Sequence, residues 1–178
     1  HRISELVRNG YIGQIKRIEV GVPTGDIAGG KTEAMAVPEE LDYAMWTGPA
    51  PQKPYTLDRV HPRQAYTRPG WMRCRDTCEG MVTNWGAHTL DVTQLIHDSE
   101  RTGPVSVEGT GEYPAPGSGL WNVLLNFRVQ YRYADDVIVD YHTDKGAFIR
   151  VEGEDGWIHA PWLGGQMSAS DPAILRIK

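Results

Sequence analysis

Asn84, His88 and Asp91 place an amide, an imidazole and a carboxylate four and three residues apart in the stretch TNWGAHTLD, residues 83–91. On a helix advancing about 100° per residue, such side chains fall within roughly 60° of one another and share a stripe. An imidazole titrates near neutral pH and can exchange a proton with a hydroxyl, while a carboxylate one turn on can fix its tautomer. An amide can orient the ring or hydrogen-bond a substrate. The same spacing also describes a helix face that is only solvated or capped, and periodicity alone does not choose.

The stripe needs a helix, and the pattern predicts one over 82–97, anchored by Val82, Trp85, Leu90 and Ile96. Before it, residues 55–79 hold no clean period and carry Arg59, His61, Arg63, Arg68, Arg73 and Arg75 among Tyr and Trp. Long irregular segments in compact proteins are more often functional than idle. Residues 3–9 read as the end of an amphipathic helix with Gly10 as its cap, and a strand follows at 14–22. Residues 23–36 read as a mobile glycine-rich loop and 39–46 as a short helix. Pro49, Pro51 and Pro54 then force extended chain.

The clearest strand is 121–133. Trp121, Val123, Leu125, Phe127, Val129, Tyr131 and Tyr133 alternate with Asn122, Asn126, Arg128, Gln130 and Arg132, which predicts one buried and one wet or partner-facing side. Shorter strands are predicted at 104–110, 136–142, 147–152 and 156–160, with turns at 144–146 and 154–156. Strands following helices predict an α+β fold, a large mostly antiparallel sheet with helices packed on one face.

The chain has 178 residues, enough for one domain over 1–178, and a net charge of −5 from 18 basic and 23 acidic residues. No basic stripe appears, which argues against nucleic acid and anionic membrane surfaces as partners. No apolar run approaches the roughly 20 residues of a membrane helix. Cys74 and Cys78 form neither a disulfide framework nor a zinc signature, so they read as free thiols. Six Trp and eight Tyr against two Phe suit surfaces that touch sugars or other polar ligands. Gly109-Thr110-Gly111 lacks the third glycine and following helix of a dinucleotide loop. Lys53 reads as a surface lysine, and His61, His97, His142 and His159 share no metal spacing. His97 and Asp98 are expected to end the helix, and Glu79 at its entry has an ordinary role in complementing the helix dipole. The first residue is not Met, so the sequence leaves localisation open.

Six stretches together carry a resemblance: SELVRNGYIGQIKRIEVGVP at 4–23, VPEELDYAMWTGPAP at 37–51, EGMVTNWGAHTLD at 79–91, GPVSVEGTGEYP at 103–114, FRVQYRYADDVIV at 127–139 and VEGEDGWIHA at 151–160. In order and in combination, they resemble the Gfo/Idh/MocA oxidoreductases, the glucose–fructose oxidoreductase and inositol dehydrogenase group. Members have an N-terminal Rossmann domain that binds NAD(P) and a C-terminal α/β domain with the sugar site. The open face of its sheet makes subunit contacts. The chain resembles the second domain only. The resemblance therefore implies that NAD(P) binds only if a Rossmann domain is supplied elsewhere, along with the lysine of its Glu-Lys-Pro motif, and that none binds this chain alone. Any metal is left open. The family's last helix is expected to be cut off at Lys178.

The family motif on this domain is Asp-x-x-x-His, whose histidine is acid/base on the sugar hydroxyl. His88 matches it, Asn84 stands at the aspartate position, and Asp91 matches a carboxylate that follows. Trp71, Arg73, Arg75 and Glu79, which lead into the helix, become candidate substrate contacts. Three functions are expected to compete. The first is the sugar-binding half of an oxidoreductase. A nucleotide-independent glycoside hydrolase or lyase, using carboxylates such as Glu79 and Asp91, is the second. The third is a non-catalytic sugar-binding or scaffold module. In each case an uncovered sheet favours homo-oligomers through its outer face.

Overall fold

A computed structural model describes residues 1–23, 26–61, 68–162 and 164–177. Arg63 and Lys178, both noted above, lie outside them. The chain packs as two compact units: His1–Thr24 with Trp85–Gly111 and Asn126–Lys178, and Gly25–Asn84 with Glu112–Leu125.

The first unit is built on a seven-stranded sheet: β1 Ile15–Gly21, β2 Ser106–Glu112, β3 Asn126–Arg132, β4 Ile138–His142, β5 Phe148–Gly153, β6 Trp157–Pro161 and β7 Ser168–Ala169. Its order is β2-β3-β4-β1-β5-β6-β7. β1 runs parallel to β4 and antiparallel to β5, and the β3–β4, β5–β6 and β6–β7 pairs are antiparallel. The expected mostly antiparallel sheet is therefore present. Alternation sets its faces. Ile18 pairs with Val139 and Val151, and Val20 with Tyr141 and Ile149. All six are at most 2% exposed. Arg17, Glu19, Asp140, Arg150 and Glu152 take the opposite face.

Helices α1, Arg2–Arg8, and α5, Gly86–His97, pack together, and α5 lies on β1. α1 buries Ile3, Leu6 and Val7; α5 buries Thr89, Thr93 and Ile96. Asp98, at φ 64°, ends α5 as expected, its N–H donating to Gln94 O.

The second unit carries α2, Tyr43–Thr47; α3, Leu57–Val60; a 3-10 turn, Gly70–Arg73; and α4, Met81–Asn84. Asp42 caps α2 by accepting from Met45 N, and Thr56 caps α3 by accepting from Arg59 N. These caps shift the short helix expected at 39–46 to 43–47.

Two expectations need correction. The helix predicted over 82–97 is two helices, α4 and α5, separated at Trp85. Gly86 follows, a poor helix former that lets the Tyr141 hydroxyl approach within 3.2 Å of where a Cβ would stand. The strand predicted over 121–133 begins only at Asn126. Residues 121–125 belong to the second unit, where other partners hold them. Trp121 N donates to Gly29 O and its indole to Asp58 O, while Asn122 N donates to Arg73 O and Asn122 Oδ1 accepts from Arg75 N. Alternation alone cannot distinguish a sheet strand from a strand-like segment pinned to loops.

Candidate functional site

His88 stands in the first turn of α5. Thr89, Thr93 and Ile96 face the core, which turns His88 and Asp91 to solvent. Both side chains are exposed, and among the described residues neither hydrogen-bonds nor ion-pairs with a protein group. The tautomer-fixing bond from Asp91 is thus not formed. Asn84 closes α4 and is half-buried, its side chain likewise without a protein partner. Because α4 and α5 are separate helices, the three residues do not form the stripe of one continuous helix.

The contrast with the other histidines is informative. His61 packs edge-on to Tyr55 and His97 bonds Asp135 at 2.9 Å. His142 bonds Glu19 at 3.1 Å, and His159 stacks on Phe148 at 5.2 Å between centroids. The His88 imidazole has no such neighbour, so its ring nitrogens are open to an outside partner. Beneath α5, Tyr141 is fully buried, and that burial pushes its hydroxyl far above the usual tyrosine range. It stays protonated and acts as a packing and hydrogen-bonding group.

In the second unit the four other candidates part company. Trp71 lines a cavity of about 620 Å³ with Trp46, Thr47, Pro49, Ala50, Pro51, Asp76 and Thr77. Arg73 is largely buried and donates through Nε to Asp26 Oδ1 at 3.1 Å, with its guanidinium 4.6 Å from the Trp121 ring centre. Arg68 reaches the same oxygen at 3.0 Å. Burial pushes the Asp26 carboxyl up and the two guanidinium groups pull it back only in part. Arg73 is thus committed to holding this buried carboxylate. Arg75 is paired with Glu79 at 3.0 Å and lies over Tyr113, whose hydroxyl donates to Glu79. Arg75, Glu79 and Tyr113 form an exposed cluster of their own. Sequence reasoning singled out Trp71 but missed Trp46, Asp76 and Thr77. Only the aromatic excess hinted at them.

Among the described residues no three His, Cys, Asp or Glu side chains group to hold a metal ion. Gly109 and Gly111 lie within the exposed strand β2 and not on a strand-to-helix turn, where backbone N–H groups and a helix N-terminus would cradle a pyrophosphate. Where Gly109 lacks a side chain, Val129 and the Arg128 carbonyl of the next strand approach instead.

The sequence matches, over residues 1–165, the profile of the C-terminal alpha/beta domain of the Gfo/Idh/MocA oxidoreductase family. The chain belongs to this family. No curated protein matches it by sequence. Among solved structures, the fold resembles an aldose-aldose oxidoreductase from Caulobacter crescentus complexed with glycerol, at TM-score 0.55 and 15% identity. That alignment covers 97% of this chain and 44% of the other. The WlbA dehydrogenase from Bordetella pertussis, in complex with NADH and UDP-GlcNAcA, aligns at TM-score 0.54 and 12% identity over 96% of this chain and 42% of that one. A super-repressor mutant of Gal80p from Saccharomyces cerevisiae aligns at TM-score 0.55 and 14% identity over 98% and 44%. At such identities the likeness is one of fold, and this Gfo/Idh/MocA chain spans less than half the length of each of the three.

Proposed function

We propose that the chain is the carbohydrate-binding, catalytic half of a sugar oxidoreductase and does not transfer hydride alone. The observation that supports this most is the His88 ring, which matches the family's histidine, is exposed, and has no partner among the described residues. A neutral imidazole so placed can accept the proton of a sugar hydroxyl. Asn84 would hydrogen-bond the sugar or the ring, but an amide carries no charge with which to make the imidazole more basic. Asp91 would serve as a nearby carboxylate. Structural relatives solved with NADH and UDP-GlcNAcA or with glycerol are consistent with a polar, sugar-like ligand. Adding NAD+ or NADP+ and a panel of aldoses to the purified chain should yield no reduced nicotinamide. Sugar titration should nonetheless shift the His88 ring protons in NMR spectra. Reduction of the nicotinamide by this chain alone would overturn the reading.

The amide at 84 favours a second reading, a sugar-binding module without catalysis, and the fold likeness to a repressor is compatible with it. The two separate on Asn84→Asp joined to a family Rossmann domain. Dehydrogenation gained with the carboxylate supports catalysis lost by substitution. Equal activity with the amide supports the first reading.

A further inference from the structure

The cavity in the second unit has features that the family assignment does not explain. Its lining joins two indoles, Trp46 and Trp71, to Pro49, Ala50 and Pro51 and to the polar Asp76 and Thr77. At about 620 Å³ it falls within the size range of small-molecule sites. Both indoles are half-buried, and neither indole N–H donates to a protein group among the described residues. Asp76 accepts no protein hydrogen bond there either. The one cation paired with it among the described residues, Arg59, stands at 3.9 Å, beyond hydrogen-bond reach, and is itself buried. Polar groups lining a hollow this way, two donors and one carboxylate acceptor, await a ligand that carries hydroxyls.

The walls are also built rigidly. Trp46 stacks on Tyr43 with ring centres 5.5 Å apart, and the Tyr43 hydroxyl donates to Lys53 O. Ala50 N donates to Thr47 O, which fixes the turn that carries Pro49 and Pro51. The Trp71 carbonyl accepts from Cys74 N and from the Thr77 hydroxyl. Beneath it, Gly70 lies so close to Asp58 O that no side chain could be placed there. Preorganised aromatic faces need little ordering when a ligand arrives.

We infer that this cavity, whose described lining residues all belong to the second unit, is a binding site for a neutral pyranose ring, stacked on Trp46 and Trp71 and hydrogen-bonded to Asp76. A sugar ring offers C–H faces to indole and hydroxyls to its rim, which matches the lining group for group. An anionic sugar is disfavoured, because its carboxylate would meet Asp76. The inference shares with the proposed function only the ligand class and does not depend on His88.

The test is ¹H–¹⁵N NMR of the 178-residue chain, which holds six tryptophans. Methyl β-D-glucopyranoside, methyl β-D-galactopyranoside, cellobiose and D-glucuronate serve as probes. Trp46→Phe and Trp71→Phe assign the two indole N–H signals. A neutral glycoside should shift both signals, with saturation transfer strongest at the sugar's ring C–H protons. Trp71→Ala or Asp76→Asn should weaken binding about tenfold, whereas His88→Ala should leave it unchanged. D-Glucuronate should bind several-fold more weakly. The inference fails if no neutral glycoside moves these two signals, if His88→Ala alone abolishes their shifts, or if D-glucuronate binds as well. Because the indole signals are read in wild-type protein, poor folding of the alanine variants does not spare it. A response at His88 without one at Trp46 and Trp71 would sink this site and leave the proposed function standing.

Discussion

At the residue scale, exposure separates the side chains that hold the protein together from those free to act. His88 is exposed and has no partner among the described residues, so His88→Ala should change unfolding free energy by no more than about 0.5 kcal/mol, measured by urea denaturation. Arg73 was as plausible a substrate contact as any by sequence, yet it is largely buried on Asp26 and Trp121. Removing it leaves Asp26 with Arg68 as its remaining guanidinium and opens the Trp121 face. Arg73→Ala should therefore cost about 2–3 kcal/mol, a loss reported by the same denaturation curves. A cost below 1 kcal/mol would mean, on the same grounds, that Arg68 compensates by itself.

Among the elements, the short turns carry as much of the arrangement as the strands do. The 3-10 turn Gly70–Arg73 places Trp71, and a Cβ at Gly70 would sit 1.4 Å from Asp58 O. Gly70→Ala must push α3 and the turn apart. We expect a loss of about 1–3 kcal/mol, seen as a lower melting temperature, together with altered Trp71 fluorescence. The outer face of the sheet sets the response to acid. Burial pushes the Glu19 carboxyl up, but hydrogen bonds and charge from Lys145 and His142 outweigh it and hold it below its ordinary value. Burial, helped by Arg150, holds the His159 imidazole below its ordinary 6.5. In both cases the folded form binds protons less readily than the unfolded chain. The His159 contribution is present above pH 6.5 and is lost as pH falls through its lower folded value. The Glu19 contribution is present above 4.5 and is lost in the same direction at lower pH. Thermal melts taken from pH 7 to 2.5 should therefore fall in two stages, the second below pH 4.5. Glu19→Gln should remove the second and, because the Glu19 charge holds the His159 value up, move the first to lower pH.

At the scale of the molecule, the open question is what covers the outer face of the sheet. β3 presents Arg128, Gln130 and Arg132 there, with Arg128 paired to Asp144 at 2.6 Å and Gln130 to Asp140 at 3.1 Å. The Arg150 guanidinium lies over Trp157 at 4.0 Å, and Arg17 pairs with Asp140. A broad strand-built surface with internally paired charges suits a second copy of the chain better than a strongly charged partner. We expect the protein to sediment as a dimer, and the Arg128→Glu/Arg132→Glu variant to sediment as a folded monomer. An unchanged sedimentation coefficient would remove the sheet face as the interface. No helix among the described residues is long and apolar enough to cross a membrane.

The class of fold, the buried face of β3, the end of α5 at His97–Asp98 and the family were all legible in the sequence. Each is written in local periodicity, caps or contiguous motifs, which depend on residues near in the chain. Tertiary structure alone decided where the helix breaks at Trp85, how Trp121 leaves the sheet to bond Gly29 and Asp58, and that Arg73 serves Asp26. It also brought Trp46 beside Trp71 and Asp76, which no spacing foretells. These outcomes rest on partners tens of residues apart, and competition between such distant partners is settled only when the whole chain is packed.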